Sequence, residues 1–210
     1  MNEDGGGMRY RYRLLDTEPC WDGHFRLVRH RLRHELWAGG ESEVLQREVF
    51  DRGAAVGVIP YDPVRDRVVV LEQFRAGAVG VVDPPWLTEF VAGLVEPGET
   101  PEAVAHRELA EEAALAASQL ELVARFFMSP GGSTELMWLY CACVDAVEVE
   151  GVHGHPEEGE DIRVRALPFA AAMALRTAEP PLAGWTLLGF EWLGRERARL
   201  RREWAGIGAE

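Results

Sequence analysis

Residues 93–115 read Gly-Leu-Val-Glu-Pro-Gly-Glu-Thr-Pro-Glu-Ala-Val-Ala-His-Arg-Glu-Leu-Ala-Glu-Glu-Ala-Ala-Leu and divide into a turn and a helix. Pro97 fixes its own φ and Gly98 tolerates the left-handed region, so the chain bends between 93 and 99. Thr100 then suits a helix N-cap, Pro101 the first helical position and Glu102 the positive end of the helix dipole. The residues from 103 to 115 are good helix formers, with Val104, Leu109 and Leu115 marking an apolar face. Glu108, Glu111 and Glu112 stand at i, i+3 and i+4, which puts three carboxylates on one face about 5–6 Å apart. Like charges there repel. The arrangement makes sense where divalent cations neutralise it, and all-oxygen donors suit Mg²⁺ or Mn²⁺. The competing reading is a solvated acidic helix face.

The stretch resembles the signature of the Nudix hydrolases, Gly-x5-Glu-x7-Arg-Glu-U-x-Glu-Glu-x-Gly-U, where U is bulky and apolar. Gly93, Glu99, Arg107, Glu108, Leu109, Glu111, Glu112 and Leu115 match it, and Ala114 stands where the family has glycine. The resemblance implies an α/β fold, a Nudix α/β/α sandwich with a mixed central sheet. It implies that Glu108 and Glu112 hold cations, that Glu111 is a further ligand or a catalytic group, and that the Ala92 carbonyl is a backbone ligand. Gly93, Glu99 and Arg107 are then structural, with Arg107 paired to Glu99 to fix the loop against the helix. An alanine held at positive φ costs on the order of 1 kcal/mol, which bears on the helix end and not on the ligands.

Four segments outside this box extend the resemblance to the ADP-ribose pyrophosphatase subgroup, over roughly residues 10–205. One is the loop Ser129-Pro130-Gly131-Gly132-Ser133-Thr134-Glu135, whose backbone can approach a sugar or phosphate closely. Another is Glu157-Glu158-Gly159-Glu160-Asp161, which read alone is a solubilising loop. By resemblance it supplies a carboxylate, from Glu158 or Glu160, that activates water or completes a metal site. The others are Arg47-Glu48-Val49-Phe50 and Glu72-Gln73-Phe74-Arg75. The resemblance implies that Arg47 and Glu48 face adenine across a dimer interface, that Phe25 stacks on the base, that Arg75 contacts the diphosphate or ribose, and that Gly132, Ser133 and Glu135 belong to the substrate site. The implied reaction is metal-dependent hydrolysis of ADP-ribose to AMP and ribose 5-phosphate, with Mg²⁺ as cofactor and Mn²⁺ as a second choice. Two alternatives are a diphosphatase for another nucleoside diphosphate sugar such as GDP-mannose, and a non-catalytic ligand sensor. The sensor would be expected to lose its glutamates and to carry a DNA-binding extension; the glutamates are intact here, and no helix-turn-helix segment is evident.

The chain of 210 residues carries a net charge of −13, and all its positive charge is arginine. An acidic body of this kind disfavours nucleic acid and anionic membranes as partners. No apolar run of about 18 residues suggests a span. Cys20, Cys141 and Cys143 have no metal-type spacing and read as reduced, buried thiols of a cytoplasmic protein. The expected organisation is a disordered N-terminus over 1–8, an antiparallel β-sheet over 9–52 and the main domain over 53–210. Strand-like alternation marks 9–13, 25–37 and 44–50, a sheet too small to stand alone, so it is expected to pack against the main domain or a second copy of the chain, and a homodimer is the expected assembly. In the main domain strands are expected at 54–61, 67–74, 89–92, 120–127, 136–144 and 162–167, with helices at 169–177 and 185–204. The arginines of the last helix are expected to form i, i+4 pairs, Glu191 with Arg195 and Arg199 with Glu203.

Overall fold

The computed structural model describes residues 11–147, 149–154, 157 and 159–206, so the N-terminus at 1–8 and the role assigned to Glu158 fall outside the described residues. The chain forms two compact units, one of Met1–Gly53 with Phe127–Glu135 and one of Ala54–Phe126 with Leu136–Glu210.

The first unit contains an antiparallel sheet of β1 (Tyr12–Asp22), β2 (Arg26–His34) and β3 (Leu45–Asp51). β1 runs well beyond the expected end at Arg13, because Tyr12↔His34 through Asp22↔Arg26 all pair with β2. Register shifts between Leu14 and Asp16 and between Pro19 and Trp21 break its alternation and blur the strand signal. Two arginines of β2 meet acids of the same unit: Arg29 contacts Glu18 at 2.7 Å and Glu48 at 3.0 Å, and Arg33 contacts Glu41 at 3.4 Å. The 127–135 loop is tied to the end of β3. Phe50 donates its N–H to the Gly132 carbonyl at 2.8 Å and accepts from the Thr134 N–H at 3.0 Å.

The second unit is built on a mixed sheet, whose described strands run in the order β10-β11-β5-β4-β9-β8, with β6 on β5 and β7 on β4. These are β4 (Ala54–Asp62), β5 (Arg67–Phe74), β6 (Trp86–Glu89), β7 (Val91–Leu94), β8 (Gln119–Phe127), β9 (Leu136–Cys143), β10 (Gly151–His153) and β11 (Ile162–Pro168). β4 and β9 are parallel. β4 and β5 pair only at Tyr61↔Val68 and Asp62↔Arg67 and then separate. Into that fork goes the segment expected as a single strand at 89–92. Its first part, β6, pairs with β5 from Phe74↔Trp86 to Leu71↔Glu89, and its second part, β7, pairs with β4 from Val58↔Val91 to Ala55↔Leu94. Phe90, fully buried, is the residue at which the chain changes partner.

Helix α1 (Pro101–Ala113) lies on one face of this sheet, packing Val104, Ala105 and Leu109 against Val56, Val58, Leu71 and Val91. Strand alternation turns Gly57 and Ile59 to the opposite face, which meets helix α3 (Gly184–Ala205). There Phe90 packs on Phe190 with ring centroids 4.5 Å apart, and a Cβ on Gly57 would lie 2.8 Å from Trp185, so glycine admits the indole. A short helix α2 (Phe169–Ala174) follows β11. Helices on both faces of a mixed sheet make the expected α/β/α sandwich. In α3 Arg199 does pair with Glu203 at 2.8 Å, but Glu191 pairs with Arg176 at 2.9 Å and not with Arg195, since Arg176 comes from a segment outside the helix. Cys141 and Cys143 are buried on β9, whereas Cys20 is exposed on β1, a strand exposed along its whole length.

Both ends of α1 follow from local chemistry. The Thr100 hydroxyl accepts from the Ala103 N–H at 3.2 Å. At the other end Ala114 adopts φ 52 and ψ 36, its N–H bonds the Ala110 carbonyl at 3.1 Å and the Leu115 N–H bonds the Leu109 carbonyl at 2.9 Å, a left-handed cap without its glycine. Relief of the left-handed strain exceeds the added entropy of an unfolded glycine, so Ala114→Gly is expected to stabilise the protein by roughly 0.5–1 kcal/mol. A urea midpoint that fails to rise, at unchanged m-value, would contradict this.

Candidate active site

Glu108 and Glu112 point inward from α1, only 8% and 4% exposed, while Glu111 stays partly open to solvent. The turn of α1 that carries Glu108 lies directly against β7: a Cβ placed on Gly93 would fall 1.6 Å from the Glu108 Oε1. Glycine there is what admits the carboxylate. Glu112 accepts the Ala92 N–H at 3.0 Å. In an extended strand a residue's N–H and C=O share one edge, so the Ala92 carbonyl emerges beside Glu112 as well.

Arg107 does more than the expected pairing with Glu99. Its Nε bonds Glu99 at 3.1 Å, while Nη1 bonds Glu108 at 2.8 Å and Glu111 at 2.9 Å. One guanidinium thus joins the turn to the acidic helix face, and it holds the Glu99 carboxyl below the usual range. Burial pushes Glu108 up to about 7, against the pull of Arg107. Burial likewise pushes Glu112 up to about 8, opposed by the Ala92 N–H and reinforced by the charge of Glu108. Glu160 raises both, so the second acidic segment reaches this cluster electrostatically.

Arg75, at the end of β5, bonds the Glu89 carboxylate at 2.6 Å, and its charge favours ionisation of Glu112. Ala92, Gly93, Glu99, Arg107, Glu108, Glu111, Glu112, Glu160 and Arg75 therefore all lie in the second unit. Phe25, Arg47, Glu48, Gly132, Ser133 and Glu135 lie in the first. Phe25 meets Phe50 edge-on at 5.1 Å, with the Arg52 guanidinium 5.4 Å from its ring centre. Glu48 is paired with Arg29, and strand alternation puts Arg47 on the other face of β3. Ser133 Oγ accepts the Glu135 N–H at 3.1 Å, and Glu135 lies 3.6 Å from Arg52.

Two residues with no assignment from the sequence stand out. Thr134 Oγ1 accepts from the backbone N–H groups of Arg52 and Gly53 and donates to Asp51, so it anchors the 129–135 loop. Glu89, 5% exposed, is a charged residue inside the apolar run 87–92, and that misfit was its one signal.

The donors gathered here are oxygens, and burial resists ionisation of Glu108 and Glu112 until positive charge arrives. That chemistry fits a hard divalent cation. Among the described residues no three such side chains converge to chelating distance as they stand, Glu108 and Glu111 being held by Arg107 and Glu112 by the Ala92 N–H.

A family profile for the NUDIX domain matches residues 51–188. The ADP-ribose pyrophosphatase of Escherichia coli (strain K12) is 38% identical over 192 residues, covering 91% of this chain and 92% of that protein. The ADP-ribose pyrophosphatase of Haemophilus influenzae is 38% identical over 194 residues, with 91% and 89% covered. A GDP-mannose pyrophosphatase of Escherichia coli (strain SMS-3-5 / SECEC) is 31% identical over 183 residues, with 86% and 93% covered. Among solved structures an ADP compounds hydrolase superposes with a TM-score of 0.64 over 89% of this chain and 97% of that one, at 24% identity, a likeness of fold. With the signature intact at eight of its nine fixed positions and seated on buried carboxylates, the chain belongs to the Nudix family.

Proposed function

We infer that this Nudix hydrolase cleaves the diphosphate of ADP-ribose to AMP and ribose 5-phosphate with a divalent cation, Mg²⁺ in the first place and Mn²⁺ in the second. The observation that carries the reading is 38% identity to ADP-ribose pyrophosphatases over 91% of the chain, against 31% to a GDP-mannose pyrophosphatase. Glu108, Glu111, Glu112 and the Ala92 carbonyl would hold the cation, which when bound neutralises the diphosphate and makes phosphorus open to attack. Glu160, or Glu158, accepts a proton from the attacking water as its oxygen bonds phosphorus. The bridging oxygen leaves with its electron pair. Arg75 offers its guanidinium to the diphosphate, and Arg107 keeps the glutamates in register with the turn. By resemblance Phe25, Glu48 and the 132–135 segment would recognise the base, whereas Arg47 stands on the other face of β3 from Glu48.

An aromatic ring stacks on any base, so discrimination falls to hydrogen bonding. A carboxylate such as Glu48 accepts from the adenine amino group but meets the guanine carbonyl as a second acceptor, leaving polar groups unpaired. The expected kcat/KM for ADP-ribose exceeds that for GDP-mannose by at least about tenfold, roughly 1.4 kcal/mol. A side-by-side assay with product identification tests this, and a preference for GDP-mannose would sink the ADP-ribose reading while leaving diphosphatase chemistry intact.

The first unit also supports a homodimer. Its sheet leaves Tyr12 74% and Trp21 68% exposed and the turn after β2 leaves Trp37 85% exposed, surface that a second copy of the chain would cover. Sedimentation is expected to give about twice the 23.4 kDa chain mass, and a fully active monomer at micromolar concentration would refute the dimer. The three free thiols agree with work in the cytoplasm, and no described helix is long and apolar enough to cross a membrane.

A further inference from the structure

Glu89 takes no part in the reaction as drawn above, yet it is a carboxylate buried in the sheet beneath the reaction site. It ends β6 opposite Leu71, and Leu71 packs under α1, so the two side chains share the face on which α1 lies. Three residues further on, the Ala92 N–H holds Glu112. Arg75 reaches Glu89 through Nε and Nη2, each 2.6 Å from the same oxygen, Oε2. The backbone of Arg75 is fixed as well, its N–H bonding the Pro85 carbonyl at 2.9 Å. One edge of the guanidinium is thereby held by a carboxyl group that is only 6% exposed, while the Arg75 side chain remains 39% exposed.

A purely structural ion pair accounts poorly for this. Burying a charge pair seldom stabilises a fold more than apolar side chains of the same volume do, and here one partner is left half in solvent. Such a pair does fix the plane and direction of a guanidinium, and a rigid guanidinium is what recognition of phosphate oxygens needs. We propose that Glu89 is a positioning residue for substrate binding, clamping the Nε–Nη2 edge of Arg75 so that its remaining edge is presented to the diphosphate. The proposal rests on the reading of Arg75 as a diphosphate contact.

The test is a double-substitution cycle on the full-length enzyme. Glu89→Gln keeps volume and one acceptor but loses the charge that orients the arginine. It is expected to raise KM for ADP-ribose about tenfold, to leave kcat within about threefold, and to leave the Mg²⁺ concentration for half-maximal activity unchanged. Arg75→Gln, at a half-exposed position, is expected to raise KM at least as much. The Glu89→Gln/Arg75→Gln protein should then be no worse than Arg75→Gln alone, because Glu89 acts only through Arg75. ADP-ribose affinity measured by calorimetry with the metal chelated should weaken in parallel with KM. Should Glu89→Gln fail to fold, Glu89→Asp, which keeps the charge but shortens the reach, is expected to show a smaller rise in KM of the same kind. Additive losses in the double variant, an unchanged KM in any single variant, or an increased Mg²⁺ requirement in Glu89→Gln would each overturn the proposal. Failure of the unaltered enzyme to hydrolyse ADP-ribose would instead overturn the substrate reading. The same cycle, run on the nucleoside diphosphate sugar that is turned over, would still decide the role of Glu89.

Discussion

Glu112→Gln is expected to lower kcat by at least about 10²-fold while making the metal-free protein more stable at alkaline pH. The two effects have one cause. Glutamine keeps the volume of Glu112 and can still accept the Ala92 N–H, so the local packing survives. What disappears is a buried negative charge, which a cation at this site needs and which the metal-free fold resists. In the native protein Glu112 is pushed up to about 8, well above its value in an unfolded chain. A carboxyl raised in this way contributes no penalty below its unfolded pKa, near 4.5, where it is neutral in both states. As pH climbs toward 8 the unfolded chain ionises first, and native stability falls. Glutamine cannot ionise and escapes that fall. With the metal chelated, Glu112→Gln should match the unaltered protein near pH 4.5 and exceed it by a few kcal/mol, to order of magnitude, at pH 8 to 9. Added Mg²⁺ should then stabilise the unaltered protein more than the variant. Near-normal turnover at saturating Mg²⁺ would remove Glu112 from the cation site. A stability difference that did not grow with pH would show that its burial carries no electrostatic cost.

The acidic helix was legible because its signals are local. Thr100 and Pro101 mark its start, and the i, i+3, i+4 spacing of the glutamates needs no tertiary knowledge. Even its irregular end at Ala114 could be anticipated, since the chain must turn there with or without glycine. The fork between β4 and β5 was not legible in the same way. Residues 86–94 form one nearly continuous apolar run, and the change of partner at Phe90 depends on where β4 and β5 part company. β1 runs past its expected end for a different reason: Leu14-Leu15 and Pro19 interrupt the alternation at the places where the pairing with β2 shifts register. Arg47 and Glu48 show the opposite case. Adjacent residues in a strand point to opposite faces, so their separation was readable from the sequence, but the resemblance took them as a pair. Glu89 was hidden because its partner Arg75 lies 14 residues away, a relation that no periodicity records, whereas the contact of Arg107 with Glu111 stands at the i, i+4 spacing and was open to reading.

Gly93→Ala is expected to cost about 10²-fold in kcat with only a modest loss of stability, because the added methyl occupies the place of a carboxylate and not of backbone. The new Cβ would lie 1.6 Å from Glu108 Oε1, 2.1 Å from its Cδ and 2.6 Å from its Cγ, distances no pair of non-bonded atoms sustains. All three atoms belong to one flexible side chain. Glu108 can therefore rotate away, at the loss of its 2.8 Å contact with Arg107 and of its station beside Ala92 and Glu112. Gly93 does not adopt positive φ, so alanine imposes no backbone strain of its own. The overpacking should cost no more than about 1–3 kcal/mol, well below what unfolds a domain of this size. A displaced Glu108 also makes a specific prediction about coupling. In a Glu108→Ala background, where the methyl meets empty space, Gly93→Ala should cost little further activity, because both changes remove the same carboxylate from the same place. Full turnover in Gly93→Ala would mean that the glycine admits something other than Glu108. A further large loss in the double variant would mean that the close approach of backbone and helix serves the reaction in its own right.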